Sequence, residues 1–243
     1  MTGIGVIGTG DITPRYLAGI AAASGLKLVG IGHRGEASSQ AQARARALAD
    51  RFGGAAMPIA DLLAAADVDV VVNLSAPLDH AGVTRASLLA GKHVFSEKPL
   101  AATVAEAAEL LRLADDTGRT LTAAPATPLG PLQQQARAIV DSGALGTIAG
   151  AAATLVYPGP DRWHHNPAPL FGRAAGPLHD MGIYDIAALT GLMGPVSHVA
   201  GFGRRLHAER RIGKGPAAGS AFPVAVDTHV TALLAFADRK SVV

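Results

Sequence analysis

The chain has 243 residues, room for one or two domains, with a formal net charge of +2 and 49% hydrophobic residues, of which only a small share is aromatic (4% of the chain). Basic and acidic residues are mixed along it, so no nucleic-acid-binding face is expected, and Arg44, Arg46 and Arg51 read as a solvated helix surface. Cysteine is absent, which excludes disulfides, thiolate nucleophiles and cysteine-ligated metals; with no signal-type start and no run of the ~18 apolar residues that cross a bilayer, a soluble cytoplasmic protein without a membrane partner is expected.

The first half alternates two patterns. Short runs rich in Val and Ile, bounded by Gly, Asp or Pro, predict buried strands at 3–8, 27–31, 68–74 and 93–96. Between them, helical spacing predicts helices at 12–23, 36–52, 59–66 and 80–90, then a helix at 104–116 and a short strand at 120–123. Strands alternating with helices imply parallel βαβ units and a doubly wound sheet, so residues 1–123 read as an α/β Rossmann-type domain. Pro125, Pro128, Gly130 and Pro131 punctuate a boundary, and residues 124–243 read as an α+β domain with an open, mainly antiparallel sheet. Its expected elements are a helix at 132–142, an alternating strand-like run at 147–157, a Pro/Gly-rich loop at 158–169, a helix at 177–192 and strands at 196–204 and 226–236. The stretch 210–221 reads as a mobile loop. The chain stops soon after the last predicted strand, so a shortened sheet, or a partner supplying its missing edge, is expected.

The segment Gly8-Thr9-Gly10-Asp11-Ile12-Thr13 follows a predicted strand and opens a predicted helix. Gly8 permits the tight turn, Gly10 lets the backbone approach a pyrophosphate, and the helix start offers N–H groups and partial positive charge to the anion. Thr13 replaces the third glycine of the pattern and is expected to loosen the helix–strand contact, while Pro14 falls where a helix tolerates it. Selection of NAD usually places an acidic residue at the end of the second strand. Here that end is Gly32-His33-Arg34, with no carboxylate before Glu36. Arg34 pairing with a 2′-phosphate, assisted by His33, favours NADP over NAD, against the plainer reading of Arg34 as a solvated loop residue.

Three further segments carry more than a generic fold: Ala90-Gly91-Lys92-His93-Val94-Phe95-Ser96-Glu97-Lys98-Pro99-Leu100, Val72-Asn73-Leu74-Ser75-Ala76-Pro77-Leu78-Asp79-His80, and Gly176-Pro177-Leu178-His179-Asp180-Met181-Gly182-Ile183-Tyr184. With the N-terminal glycines they resemble the glucose–fructose oxidoreductase/inositol dehydrogenase/MocA family over nearly the whole chain. Trp163-His164-His165-Asn166-Pro167 is similar to a stretch in one branch of it.

The resemblance implies a Rossmann domain for NADP or NAD and a second domain whose open sheet carries the substrate and a homo-oligomer interface. It implies hydride transfer between nicotinamide and a sugar, polyol or related carbonyl compound. Lys98 is then the catalytic lysine beside nicotinamide and substrate, with Lys98–Pro99 a candidate cis bond. Gly8, Thr9, Gly10, Asp11, Ile12, His33, Arg34, Ser75, Ala76, Pro77, His80, Glu97 and Lys98 form the expected cofactor set. Asp180 matches the aspartate of the family's acid/base pair, and Tyr184 stands where a histidine is usual. Four residues apart on a helix, the two share a face. A phenol beside an ammonium group can have its pKa lowered, so Tyr184 or Lys98 is the expected proton donor, oriented by Asp180. Trp163 and His164 join Lys98, Asp180 and Tyr184 as expected substrate contacts.

Plainer readings stand beside these: Asp180 as a helix N-cap, Tyr184 as core, Trp163 as interface filler, and His80 as a cap or packing residue. His164 and His165 are adjacent, and neighbours on an extended segment point oppositely, so no metal site is expected. Gly172-Arg173-Ala174-Ala175-Gly176 departs from the consecutive glycines of relatives and leaves that turn's path open. Two other functions remain: a dinucleotide-binding sensor that has lost catalysis, and a redox-neutral lyase or hydrolase using transient hydride transfer.

Overall fold

A computed structural model of the chain describes residues 1–35, 39–237 and 241–242. They fall into two compact units, Met1–Ala124 and Pro125–Val243. The first unit runs β1 (Thr2–Ile7), α1 (Thr13–Ala22), β2 (Leu26–His33), α2 (Ser39–Phe52), β3 (Ala55–Pro58), α3 (Ile59–Ala64), β4 (Val70–Asn73), α4 (His80–Leu89), β5 (His93–Ser96), α5 (Val104–Thr117) and β6 (Leu121–Ala123).

Its six strands form one parallel sheet in the order β3-β2-β1-β4-β5-β6. Strand order reverses between β1 and β4, and that switch point opens a crevice at the carboxyl ends of the strands. Strands covered on both faces need apolar residues on both, which is why they read as continuous runs. On one face Ile4, Val6, Ile31 and Val72 meet Leu17 and Ile20 of α1. On the other, Ile7, Val68 and Val71 meet Leu62 of α3. With few aromatics available, close approach does the packing. Methyls placed on Gly5, Gly30 and Gly32 would lie 2.9–3.1 Å from Leu62 side-chain carbons. The edge strand β3 was not expected. Its sequence, Ala-Ala-Met-Pro, lacks β-branched residues and ends in proline, so only its pairing with β2 marks it as a strand. The start of the helix expected at 36–52 lies partly outside the described residues.

The Ala90–Leu100 string divides its labour. Gly91, at φ +74°, turns the chain out of α4. Lys92 is 8% exposed, and its Nζ donates to the carbonyls of Ala65 (2.7 Å) and Val68 (2.9 Å), just beyond the end of α3. A cation is favourable at a helix C-terminus, where carbonyls lack intrahelical partners.

The second unit holds α6 (Pro131–Asp141), α7 (Ile183–Met193), β7 (Val196–Arg204), β8 (Glu209–Arg211), β9 (Ala221–Pro223), β10 (His229–Phe236) and β11 (Ser241–Val242). β7 pairs antiparallel with β10, which pairs with β11. Met193, Phe236, Leu189, Leu192, Val196 and Leu234 gather where α7 meets this sheet. Two expectations are corrected. The alternating run at 147–157 joins no ladder among the described residues; Ile148 and Ala151 pack into the α7 cluster instead, at a spacing of three. The stretch 210–221 is part of a hairpin: β8 pairs with β9, and Arg211 donates to the Gly219 carbonyl at 2.7 Å. Among the described residues no helix is long and apolar enough to cross a membrane.

Lys92→Met keeps the aliphatic stem but leaves two buried carbonyls without their ammonium partner. We expect it to lower stability by about 2 kcal/mol, read as a fall in the urea midpoint. An unchanged midpoint would show that the ammonium group carries none of this anchoring.

Candidate active site

The chain leaves β1 at Gly8 with φ +125°, a conformation that disfavours a side chain. A methyl there would lie 2.2 Å from the Leu74 carbonyl oxygen, so the glycine loop presses against the loop that follows β4. Gly10 is different: it is exposed, and a methyl on it would meet nothing within 4 Å. Thr9 is half-buried, Asp11 and Ile12 are exposed, and no side-chain bond caps the N-terminus of α1 at Ile12. Within the first turn of α1 the Thr13 and Arg15 N–H groups bond the Gly10 and Ile12 carbonyls (3.1 and 3.0 Å) and Pro14 has no N–H, so N–H donors to a dinucleotide pyrophosphate would come from the glycine loop itself, where Gly10 leaves room for close approach. Thr13 does not loosen the turn, contrary to expectation. It is fully buried, and its hydroxyl donates to the Gly8 carbonyl at 3.1 Å, closing the loop from within.

At the end of β2, His33 is 5% exposed and its Nδ1 accepts the Gly35 N–H at 3.1 Å. Its ring shapes the turn that presents Arg34. Arg34 is exposed and forms a salt bridge with Asp79, beside the start of α4. Sequence reading did not single out Asp79, because pairing across 45 positions leaves no local signal. Glu36 lies outside the described residues.

The carboxyl ends of β4 and β5 are tied together by Asn73, which is fully buried. Its Nδ2 donates to the His80 carbonyl (3.0 Å) and to Thr84 Oγ1 (3.1 Å). Its Oδ1 accepts the Ser75 N–H (3.2 Å) and the Ser75 hydroxyl (2.7 Å). Its own carbonyl accepts the Glu97 N–H at 2.8 Å. From this anchor Ser75, Ala76 and Pro77 lead to the crevice surface, half-buried, exposed and half-buried in turn. Glu97 Oε1 accepts the Tyr16 hydroxyl at 2.6 Å, and Oε2 accepts the Lys98 N–H at 2.9 Å. Tyr16 belongs to α1 and its ring packs on Phe95 of β5. Helix α1 and the lysine-bearing strand end are thus joined through one carboxylate. Lys98 is half-buried and the Lys98–Pro99 peptide is cis, as expected.

In the second unit, Asp180 and Tyr184 do not share a continuous α-helix. Asp180 sits in a π-helical turn, Leu178–Gly182, and Tyr184 in the first turn of α7. Both are half-buried. Four residues remain close to one turn, so the pair stays on one side, and π-turns concentrate at functional sites. Asp180 is not an N-cap: Pro177 precedes the π-turn and Gly182 precedes α7. The Gly172–Gly176 turn keeps a left-handed residue without glycine, with Ala174 at φ 59°.

Tyr157 was missed in the sequence, where it only ends an alternating run. Its phenol pKa is pushed up to about 12, first by burial, then by the negative charge of Asp180, with Asp161 adding to the rise and Arg210 opposing it. Such a phenol stays protonated at neutral pH and holds its proton more tightly than a free one. Trp163 is 58% exposed. His164 and His165 are corrected: their segment is a turn, the His164 N–H donating to the Pro160 carbonyl at 2.8 Å. The two rings stack at 4.8 Å instead of pointing apart. The argument against a shared ion drawn from opposed side chains therefore lapses.

Residues 2–124 match the GFO/IDH/MocA family profile described as "Oxidoreductase family, NAD-binding Rossmann fold", and residues 133–243 match the GFO/IDH/MocA C-terminal domain. The chain is 34% identical over 238 residues to a dTDP-3,4-didehydro-2,6-dideoxy-alpha-D-glucose 3-reductase of Streptomyces violaceoruber, covering 96% of this chain and 66% of that protein. It is 29% identical over 185 residues to an inositol 2-dehydrogenase of Rhizobium meliloti, covering 71% of this chain and 54% of the relative. The chain thus spans less than two thirds of the length of the curated relatives it matches. A crystal structure of a 3-ketoreductase from Actinomadura kijaniata with NADP and TDP-benzene superposes with a TM-score of 0.79 at 26% identity, covering 99% of this chain and 68% of that one. The same reductase has been crystallised as a lysine-to-alanine variant with those two ligands.

The two loop glycines make separable predictions. Gly8→Ala forces a methyl into the Leu74 carbonyl, so thermal stability falls by several degrees. Gly10→Ala meets open space, so the melting temperature holds while NADPH binding, followed by nicotinamide fluorescence, weakens by about tenfold or more. Unchanged NADPH affinity in Gly10→Ala would remove this loop from the cofactor site.

Proposed function

The chain belongs to the GFO/IDH/MocA oxidoreductase family, and on that premise we propose that it is an NAD(P)-dependent oxidoreductase acting on a sugar, polyol or related carbonyl compound. The single observation that carries this reading is the Tyr16–Glu97–Lys98 connection, which couples the glycine-loop helix to a lysine at the carboxyl edge of the same sheet. A bound nicotinamide supplies or takes up the hydride. The protein's own work is to hold the dinucleotide, orient the reacting carbon and manage one proton. In the reducing direction the substrate carbonyl carbon gains hydride and its oxygen gains a proton. We assign the proton to Lys98 or Tyr184, with Asp180 orienting Tyr184 within the second unit and Tyr157 adding a phenol that stays protonated. Trp163 and His164 are assigned to the substrate side.

Gly8, Thr9, Gly10, Asp11 and Ile12 are assigned to the pyrophosphate end, and Ser75, Ala76, Pro77 and Glu97 to the nicotinamide side. Arg34 is assigned to the 2′-phosphate of NADP, which would take Asp79's place on the guanidinium. The complex of the Actinomadura reductase with NADP supports this preference, and its lysine variant supports attention to Lys98. Relatives named as nucleotide-linked keto-sugar reductases support a keto-sugar as the first substrate class to try. The proposal includes a cytoplasmic setting and a homo-oligomer formed through the β7–β10 sheet; the exposure of Val199, Phe202 and Leu233 on those strands supports the latter.

Turnover of NADPH against keto-sugars and aldoses, and of NADP+ against polyols, tests the reading. Lys98→Met should lower kcat by about 100-fold or more while the Kd for NADPH stays within about threefold. Full turnover in that variant would remove Lys98 from catalysis. NADPH should bind more tightly than NADH, and Arg34→Ala should erase the difference; equal affinities in the unaltered chain would refute the assignment of Arg34.

A further inference from the structure

His80 opens α4 and is 1% exposed, yet both of its ring nitrogens meet polar partners. Nδ1 lies 2.6 Å from the Pro99 carbonyl oxygen and Nε2 lies 2.9 Å from the Ser75 carbonyl oxygen. Those carbonyls belong to different loops. Ser75 begins the loop after β4 that leads to Ala76 and Pro77, and Pro99 closes the peptide that follows Lys98. Carbonyl oxygens only accept, so each hydrogen bond draws on an imidazole N–H; a neutral ring offers one and a protonated ring two. A protonated ring donates to both carbonyls; a neutral ring donates to one and packs against the other, so in either form it fills the space between the two loops. It does not cap α4, whose N-terminus has no side-chain cap bond. Sealed from solvent, it reaches a cofactor only through the loops it holds.

We propose that His80 is a positioning residue: through the Pro99 and Ser75 carbonyls it sets where Lys98 stands relative to the cofactor loop, without itself touching substrate. Asn73 supports this from below. Its side-chain amide bonds to the His80 carbonyl and to the N–H and hydroxyl of Ser75, and its own carbonyl accepts the Glu97 N–H, so the bases of the two loops are fixed and the ring acts above them, at the Ser75 and Pro99 carbonyls. The pair of loops is short, and the ring's contacts at both ends are close, so replacing the imidazole frees the Lys98–Pro99 corner while leaving the sheet beneath it in place. A displacement of about 1 Å at a reacting group can cost on the order of 100-fold in rate. The inference rests on the reading that Lys98 serves the substrate oxygen.

The test uses the full chain and four forms: unaltered, His80→Phe, His80→Gln and Lys98→Met. Three quantities are measured: NADPH affinity, kcat and KM on a substrate of the unaltered enzyme, and the rate at which a lysine-acylating reagent modifies Lys98, followed by peptide mass spectrometry. His80→Phe should keep NADPH affinity and KM within about threefold, lose about 10- to 100-fold in kcat, and change the Lys98 acylation rate by at least about threefold. His80→Gln, whose amide N–H can still reach one carbonyl, should recover part of both losses. A mere fold brace gives another pattern: His80→Phe melts lower, but kcat and the acylation rate match the unaltered chain, and that result overturns the proposal. Should His80→Phe not fold, His80→Asn, too short to span both loops, carries the same test with the same two outcomes. Lys98→Met separates the two claims. If it keeps full turnover, the catalytic reading of Lys98 fails, and the acylation rate alone then decides the positioning claim. If it loses turnover while the His80 variants keep theirs, only the positioning claim fails.

Discussion

Four hydrogen bonds converge on the buried side-chain amide of Asn73 at the end of β4, and the arrangement of the crevice depends on them. A parallel sheet stops supplying backbone partners where its strands end, so the loops above must find their own. A buried amide can satisfy two donors and two acceptors at once, and leaving any of them unpaired is costly. Asn73 uses both ends: it fixes the first turn of α4 from one side and Ser75 from the other, while its carbonyl receives the Glu97 N–H. The glycine loop then packs on Leu74, the next residue, and so inherits the same anchor. Tyr16 closes the circuit from α1 to Glu97. The crevice at the β1–β4 reversal is therefore held in shape by these contacts.

That organisation gives the Ala90–Leu100 string two physical meanings in eleven residues. Gly91 and Lys92 serve stability: one reverses the chain, the other plugs the end of α3 with a buried ammonium group. Glu97, Lys98 and Pro99 lie one strand later, at the edge where ligands sit in open α/β sheets. The same string would look uniformly functional to anyone reading letters alone.

Much of the first unit was legible because its signals are local. A strand covered on both faces is a run of Val and Ile, and a tight turn at positive φ needs glycine where a Cβ would collide, so β1, β4, β5 and Gly8 could be read directly. What escaped was non-local or contextual. β3 has no β-branched residue and exists because β2 offers it an edge. Thr13 was read as a poorer glycine, whereas its hydroxyl bonds back to Gly8. Arg34 was recognised but Asp79 was not, since their pairing crosses 45 positions. In the second unit, alternation at 147–157 suggested a strand, yet a ladder requires a partner, and the apolar residues turned toward α7 instead. His164 and His165 were placed on an extended segment, and the turn at Pro160 stacked them. The Asp180/Tyr184 spacing survived a change from α to π geometry because four residues approximate a turn in both.

We propose that this crevice delivers hydride between nicotinamide C4 and a carbon of a sugar or polyol. The most direct measurement is isotopic. The chain is incubated with NADPH carrying deuterium at C4, on one face and then the other, together with the keto-sugars, and in the other direction with NADP+ and polyols deuterated at the carbinol carbon, and the products and recovered cofactor are weighed by mass spectrometry. Transfer predicts that one product gains a single deuterium from one face of the cofactor and none from the other. Stoichiometric NADPH binding with no deuterium in any product would contradict the claim and leave the chain a dinucleotide-binding protein.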